Sequence, residues 1–77
     1  MRIVKHGMIG CSLCRRLSSV IKTAELDIEE VNIEVEEAKK LNISSVPVII
    51  KYDDNGKEVA RLNGMVLLSK LKEFCRE

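Results

Sequence analysis

Apolar positions along the chain change their spacing several times, and each change predicts an element. Arg2 to His6 holds Ile3 and Val4 in a short β-branched run closed by Gly7, which predicts a first strand. From Cys11 the period lengthens. Leu13, Cys14, Leu17, Val20, Ile21 and Ala24 recur at helical steps and give a helix one apolar face. Cys11 then falls in that helix's first turn, with Cys14 one turn on, toward the buried side.

Asp27 to Ile33 (DIEEVNI) carries Ile28, Val31 and Ile33 and predicts a second strand. Asn32 is placed to cap a short helix from Glu34 to Leu41. Early Glu34, Glu36 and Glu37 and late Lys39 and Lys40 complement its dipole, and Asn42 suits a left-handed stop. VPVIIKY, residues 46–52, is a continuous apolar run suited to a central strand buried on both faces. Proline donates no ladder hydrogen bond, so Pro47 is expected at that strand's first residue. Asp54-Asn55-Gly56 predicts a hairpin turn, and Lys57 to Leu62 (KEVARL) the antiparallel return. Met65 to Arg76 predicts a last helix with Leu67, Leu68, Leu71, Phe74 and Cys75 on its inner side. The order β-α-β-α-β-β-α implies a right-handed parallel crossover followed by a hairpin. The expected fold is α/β: a mixed four-stranded sheet covered by three helices.

Composition narrows the function classes. A chain of 77 residues predicts one domain, spanning 1–77. Its 45% hydrophobic and 32% charged residues are ordinary for a soluble globular protein. No stretch approaches the roughly 20 apolar residues of a membrane helix. The opening MRIVKHGM lacks a signal peptide's apolar region, so a cytoplasmic location is expected. A net charge of +1 leaves no electrostatic footprint for nucleic acid, and one Phe, one Tyr and no Trp leave no stacking platform for bases. No nucleic-acid partner, no membrane and a monomeric state are the expectations.

Three cysteines are an odd count for a chain read as cytosolic, which argues against a secreted disulfide framework. Spacing alone leaves Cys11 and Cys14 open to metal binding, to redox chemistry, or to a role as two small buried apolar residues.

With Cys-x-x-Cys opening the first helix and Ser45-Val46-Pro47 opening the third strand, this order resembles the thioredoxin/glutaredoxin superfamily over essentially the whole chain. Cys11-Ser12-Leu13-Cys14 resembles its redox motif, and Ser45-Val46-Pro47 its cis-proline loop. AKKLNISSVPVIIKYDDNGK is similar to the helix, loop, strand and turn that follow in thioredoxins. Leu62-Asn63-Gly64 falls where relatives carry a glycine before the last helix, and the length fits the minimal glutaredoxin-like form. There are departures. Gly10 precedes Cys11 where thioredoxins carry tryptophan, and Lys5 stands roughly where they bury an aspartate. Asn63-Gly64-Met65 lacks the glycine pair and following acid through which glutaredoxins hold glutathione.

The resemblance implies a dithiol-disulfide oxidoreductase. Cys11 would attack a partner's disulfide as a thiolate, favoured by the free N–H groups and dipole of the helix start, and Cys14 would resolve the mixed disulfide. Lys5, His6, Arg15 and Arg16 would supply nearby cations. Ser12 and Leu13 would shape the rim, Ser12 with a hydroxyl able to reach the thiolate. Val46, Pro47, Asn63 and Gly64 would meet the substrate, Val46 through its backbone. No bound cofactor is implied beyond the redox-active Cys11–Cys14 disulfide. The implied partners are disulfide-containing proteins, with a flavoprotein disulfide reductase or glutathione as electron source. Two readings from other classes stand beside it: a metal-binding module and a redox-inert protein-interaction domain. His6, Cys11, Cys14 and Cys75 would complete a zinc set. However, a last helix running away from Gly64 at about 1.5 Å per residue puts Cys75 on the order of 16 Å along its axis, so no metal is expected. Cys75 follows Leu71 by four positions and reads as a core or helix-end thiol. His6 reads either as a strand residue facing solvent or as a group for proton transfer or thiolate stabilisation.

Overall fold

Val48, Ile49, Ile50 and Lys51 are buried in succession, and the strand order explains why. The computed structural model describes residues 1–76. Its elements are β1 (Arg2–Gly7), α1 (Ser12–Thr23), β2 (Glu29–Asn32), α2 (Val35–Lys40), β3 (Val48–Tyr52), β4 (Glu58–Asn63) and α3 (Leu68–Arg76). The sheet runs β2-β1-β3-β4, with β1 parallel to β2 and antiparallel to β3, and β4 antiparallel to β3. β3 is therefore central, and its side chains alternate between two apolar layers. Ile49 joins Leu17, Ile21, Ile28, Leu71 and Phe74 on the side of α1 and α3. Val48 and Ile50 join Ile33, Ala38 and Ile43 on the side of α2. The expected α/β architecture, with a mixed four-stranded sheet and three helices, is the one observed.

Local chemistry sets the ends of the elements. The Asp53 carboxylate accepts the backbone N–H groups of Asn55 and Lys57, each at 2.9 Å, and Gly56 takes φ +82, closing the β3–β4 hairpin. Asn42, at φ +57, follows α2 as its left-handed stop. Arg61 donates from Nη2 to the Leu41 carbonyl at 3.0 Å, a cation at that helix's negative end.

Several boundaries differ from expectation. Asn32 does not cap α2: it ends β2 opposite Gly7, and Glu34 precedes the helix with no side-chain cap bond. Cys11 is the N-cap of α1 rather than part of its first turn. The third strand starts at Val48, after Pro47. The last helix starts at Leu68, not Met65. Leu67 only lends its carbonyl to the Leu71 N–H, so its side chain is 77% exposed, and Leu68 also faces water. The inner side of α3 is Leu71 and Phe74, with Cys75 half-buried beside them.

His6 is not the solvent-facing strand residue that one of its two readings expected. It is buried, 6% exposed, on the face opposite to the one that carries Lys5, because neighbouring strand residues alternate. Its Nε2 lies 3.3 Å from the Tyr52 hydroxyl, and its Nδ1 has no hydrogen-bond partner among the described residues. Burial pushes the imidazole pKa below its ordinary value, and Arg61 adds to this while Glu37 opposes it. Among the described residues no helix is long and apolar enough to cross a membrane.

Two outcomes follow for stability in urea. Ile49→Ala costs about 2–5 kcal/mol, whereas Leu67→Ala stays within about 0.5 kcal/mol. A third outcome concerns pH. The unfolded imidazole takes its proton near 6.5 and the folded one only lower. Stability is therefore complete above the unfolded pKa and declines as pH falls through it, by up to about 1.4 kcal/mol per unit, levelling below the folded pKa. Unfolding curves of His6→Gln lack that component between about pH 7 and 5; an unchanged slope in the variant would remove His6 as its source.

Candidate active site

The ends of β1 and β4 and the start of β3 meet at one edge of the sheet, where Val48 is paired to both His6 and Asn63. Beyond Gly7 the chain turns through Gly10, at φ +86, and the Cys11 N–H donates to the Met8 carbonyl at 3.2 Å. That turn delivers Cys11 to the N-cap of α1. Its sulfur accepts the Cys14 N–H at 3.1 Å, and its carbonyl accepts the Arg15 N–H. The hydrogen bond at this sulfur thus comes from the helix backbone, while Ser12 is exposed beside it. Cys11 and Cys14 form a disulfide with Cα atoms 5.2 Å apart, inside the usual span for such a bridge. The two sulfurs differ in access: Cys11 is half-buried and Cys14 only 4% exposed.

Gly7 matters more than its reading as a strand terminator implied. A Cβ there would stand 3.1 Å from Cys14 Sγ and 3.2 Å from Cys14 Cβ. The absence of a side chain is what lets α1 seat its second cysteine against the strand end.

Across the same edge, the Val46–Pro47 peptide bond is cis and Pro47 is fully buried. Gly64, at φ +72, donates its N–H to the Pro47 carbonyl at 2.8 Å, tying the proline loop to the turn after β4. Val46 is half-buried and Asn63 exposed. Leu13 and Met65, 43% and 41% exposed, leave apolar surface on the two segments that frame this edge.

Lys5 is the candidate whose surroundings the sequence reading least anticipated. It points from β1 toward α1, is 4% exposed, and its Nζ donates to the Cys14 carbonyl (3.1 Å), Ser18 Oγ (2.5 Å) and Glu30 Oε1 (3.0 Å). The Ser18 hydroxyl donates to the same Glu30 oxygen. Glu30 stands directly across from Lys5 on β2. Burial pushes its carboxyl up, but the hydrogen bonds from Ser18 and Lys5 outweigh this and hold it below the usual carboxylate range. Neither Ser18 nor Glu30 was singled out from sequence. The parallel register of β1 with β2 is what pairs Lys5 with Glu30, and DIEEVNI alone does not reveal it.

The remaining candidates disperse. Arg15 and Arg16 are exposed on α1. Cys75 packs against the layer between α1 and α3, where burial raises its thiol pKa, while His6 belongs to the other layer. Among the described residues, no three His, Cys, Asp or Glu side chains gather so as to hold a metal ion.

No protein-family model matches the chain. A curated relative, the SPbeta prophage-derived thioredoxin-like protein YosR of Bacillus subtilis (strain 168), is 32% identical over 79 residues, spanning 100% of this chain and 98% of the relative. Thioredoxin 1 of Thermosipho africanus superposes with a TM-score of 0.70 at 20% identity, over 99% of this chain and 91% of its own. Oxidised thioredoxin of Plasmodium falciparum gives 0.71 at 28%, over 96% and 76%. A thioredoxin-fold protein from Helicobacter pylori gives 0.80 at 21%, over 97% and 66%. The whole-length relative, the superposed thioredoxins and the bridged Cys11–Cys14 pair agree: this chain belongs to the thioredoxin/glutaredoxin superfamily and has its thioredoxin fold.

Proposed function

We propose that the protein is a dithiol-disulfide oxidoreductase in which Cys11 attacks and Cys14 resolves. The observation that carries this assignment is the asymmetry of the pair. Cys11 lies at a helix N-cap, within reach of solvent and holding a backbone N–H on its sulfur, while Cys14 is enclosed behind it. Helix-start N–H groups favour negative charge, so the accessible sulfur is also the one suited to be a thiolate.

In the reduced protein, Cys11 attacks one sulfur of the partner's disulfide. The Cys11–partner bond forms as the partner's own S–S bond breaks, and the released partner thiolate takes up a proton. Cys14 then loses its proton and attacks Cys11 Sγ, forming the Cys11–Cys14 bond and expelling the second partner sulfur. Two electrons have passed to the partner, and no bound cofactor is required. The resolving thiol sits one helical turn away, so the second step is intramolecular and outruns competing thiols.

The substrates proposed are disulfide-bearing proteins. Leu13 and Met65 offer apolar contact, with Ser12, Asn63 and Gly64 at the rim, and the Val46 backbone beside Pro47 pairs with an extended substrate segment. A flavoprotein disulfide reductase or glutathione returns the electrons, and the protein works as a monomer in the cytoplasm.

Equilibration against a series of glutathione buffers, read by mass spectrometry, tests this reading. A reversible loss of two hydrogens at one definite potential, abolished in Cys11→Ser, is the expected result. A pair that stays reduced across the series sinks it. A glutathione adduct that accumulates on Cys11 favours the glutaredoxin-like branch, with glutathione as the electron source. Gly7→Ala tests the resolving geometry: the added methyl pushes Cys14 back, lowers stability by about 1–3 kcal/mol and lengthens the life of the mixed disulfide. A mixed disulfide as short-lived as in the unsubstituted protein would show that close seating is not needed.

A further inference from the structure

An ammonium group in a protein interior gives up hydration and is retained only where other acceptors replace it. Lys5 has three N–H donors, and three acceptors surround its Nζ: the Cys14 carbonyl, the Ser18 hydroxyl and the Glu30 carboxylate. The head group is thereby held in one place. The head group sits on the backbone carbonyl of the resolving cysteine, and the Lys5 side chain runs past the same strand end as its sulfur. Lys5 Cε and Cys14 Sγ lie 3.5 Å and 3.1 Å from the point where a Cβ on Gly7 would stand, on the same face of β1. Both side chains are almost wholly shielded from water, where a charge acts more strongly than at the surface. Glu30 is different, with 38% of its side chain in solvent.

Charges on the neighbouring elements are few. Besides Lys5 and Glu30, β1 and β2 carry Arg2 and Glu29, which pair with each other at the surface; α1 carries the exposed Arg15, Arg16 and Lys22, and His6 lies on the far face of the sheet. The segment 42–48, which leads into β3, carries no charge. Lys5 is thus the enclosed cation of this site.

We propose that Lys5 is a positioning residue for the resolving step, its ammonium favouring the Cys14 thiolate, with Ser18 and Glu30 holding that ammonium in place and Glu30 tempering its field. This rests on the assignment of Cys14 as resolver. In the step concerned, the Cys14 S–H proton leaves by way of water and a proton is returned to the partner thiolate. The Cys14–Cys11 bond forms as the Cys11–partner bond breaks, with its electron pair staying on the partner sulfur.

The test uses a Cys75→Ser background, which leaves Cys11 and Cys14 as the titrating thiols. Lys5→Met and Glu30→Gln are compared for the ionisation of Cys14, read from the pH dependence of the dithiol-disulfide equilibrium, and for the decay rate of a preformed glutathione mixed disulfide. Lys5→Met moves that ionisation up by about one unit. Thiolate nucleophilicity rises with pKa, with a Brønsted slope of about 0.4–0.5, so a tenfold loss of thiolate slows resolution only about three- to fourfold at neutral pH. Above the ionisation, the same change moves the equilibrium about tenfold toward the disulfide, or about 30 mV. Glu30→Gln leaves the ammonium uncompensated and shifts both readouts the other way. A purely structural tie would not produce shifts of opposite sign. Two shifts of one sign, or a loss of stability with no movement of the ionisation, overturn the proposal. If Lys5→Met does not fold, the direction of Glu30→Gln decides alone. A wild-type pair that never exchanges between dithiol and disulfide removes the resolving reading itself, a result distinct from unmoved variants of an exchanging protein.

Discussion

The site depends on how closely the first turn of α1 approaches the end of β1. Gly7 has no side chain, and Cys14 packs tightly against the space one would fill. From that contact the rest follows. Cys14 is enclosed, Cys11 is carried to the helix N-cap where solvent reaches it, and the Cys14 N–H is aimed at the Cys11 sulfur. The strand end in turn is fixed by its neighbours, with Gly7 laddered to Asn32 and His6 to Val48. The sheet therefore sets the sulfur geometry, and the helix supplies its polarity.

Each sulfur meets a different source of positive potential. At Cys11 it is the unpaired N–H end of α1, a set of partial charges that belongs to the backbone and does not depend on side-chain identity. For Cys14 the proposed source is the full charge of one lysine, seated on the Cys14 carbonyl and anchored by a carboxylate from the adjacent strand. The ladder pairs Lys5 with Glu30 in a parallel register, so the two side chains share a face and the ion pair needs no loop to bring it together.

What was legible in the sequence was what a single element declares. The run 46–52 declares a strand covered on both sides, and its two layers of packing bear that out. Asp54-Asn55-Gly56 declares a tight turn, and Gly56 takes the positive φ that such a turn demands. The cysteine spacing at a helix start marks the pair, and only together with Ser45-Val46-Pro47 does it resemble a redox motif. Features that need two elements at once were not legible. Glu30 is one of two adjacent acids on an exposed edge strand, and only the register against β1 separates it from Glu29. Asn32 is a good capping residue in isolation, but the ladder takes it first. Leu67 and Leu68 match a helix face by spacing, yet the chain enters α3 late and leaves both in water. His6 was placed beside the cysteines by its number alone; strand alternation sends it to the other layer.

The buried charge also differs in meaning between the two redox states. With Cys11 and Cys14 bridged, neither sulfur is charged, and Lys5 with Glu30 forms a neutral pair whose donors are fully used. A thiolate at Cys14 adds one negative charge beside an ammonium that is already desolvated and in place. No side chain has to move to meet it, so little reorganisation is demanded at the moment the charge appears. The desolvation of Lys5 was met during folding, when β1, β2 and α1 closed around it. A device of this kind suits a chain of 77 residues, whose two apolar layers are thin and leave little interior to spare for polar groups. The same three hydrogen bonds that make the lysine tolerable there also join the two parallel strands to α1, so the tie between these elements and the proposed field at the Cys14 sulfur are one structure.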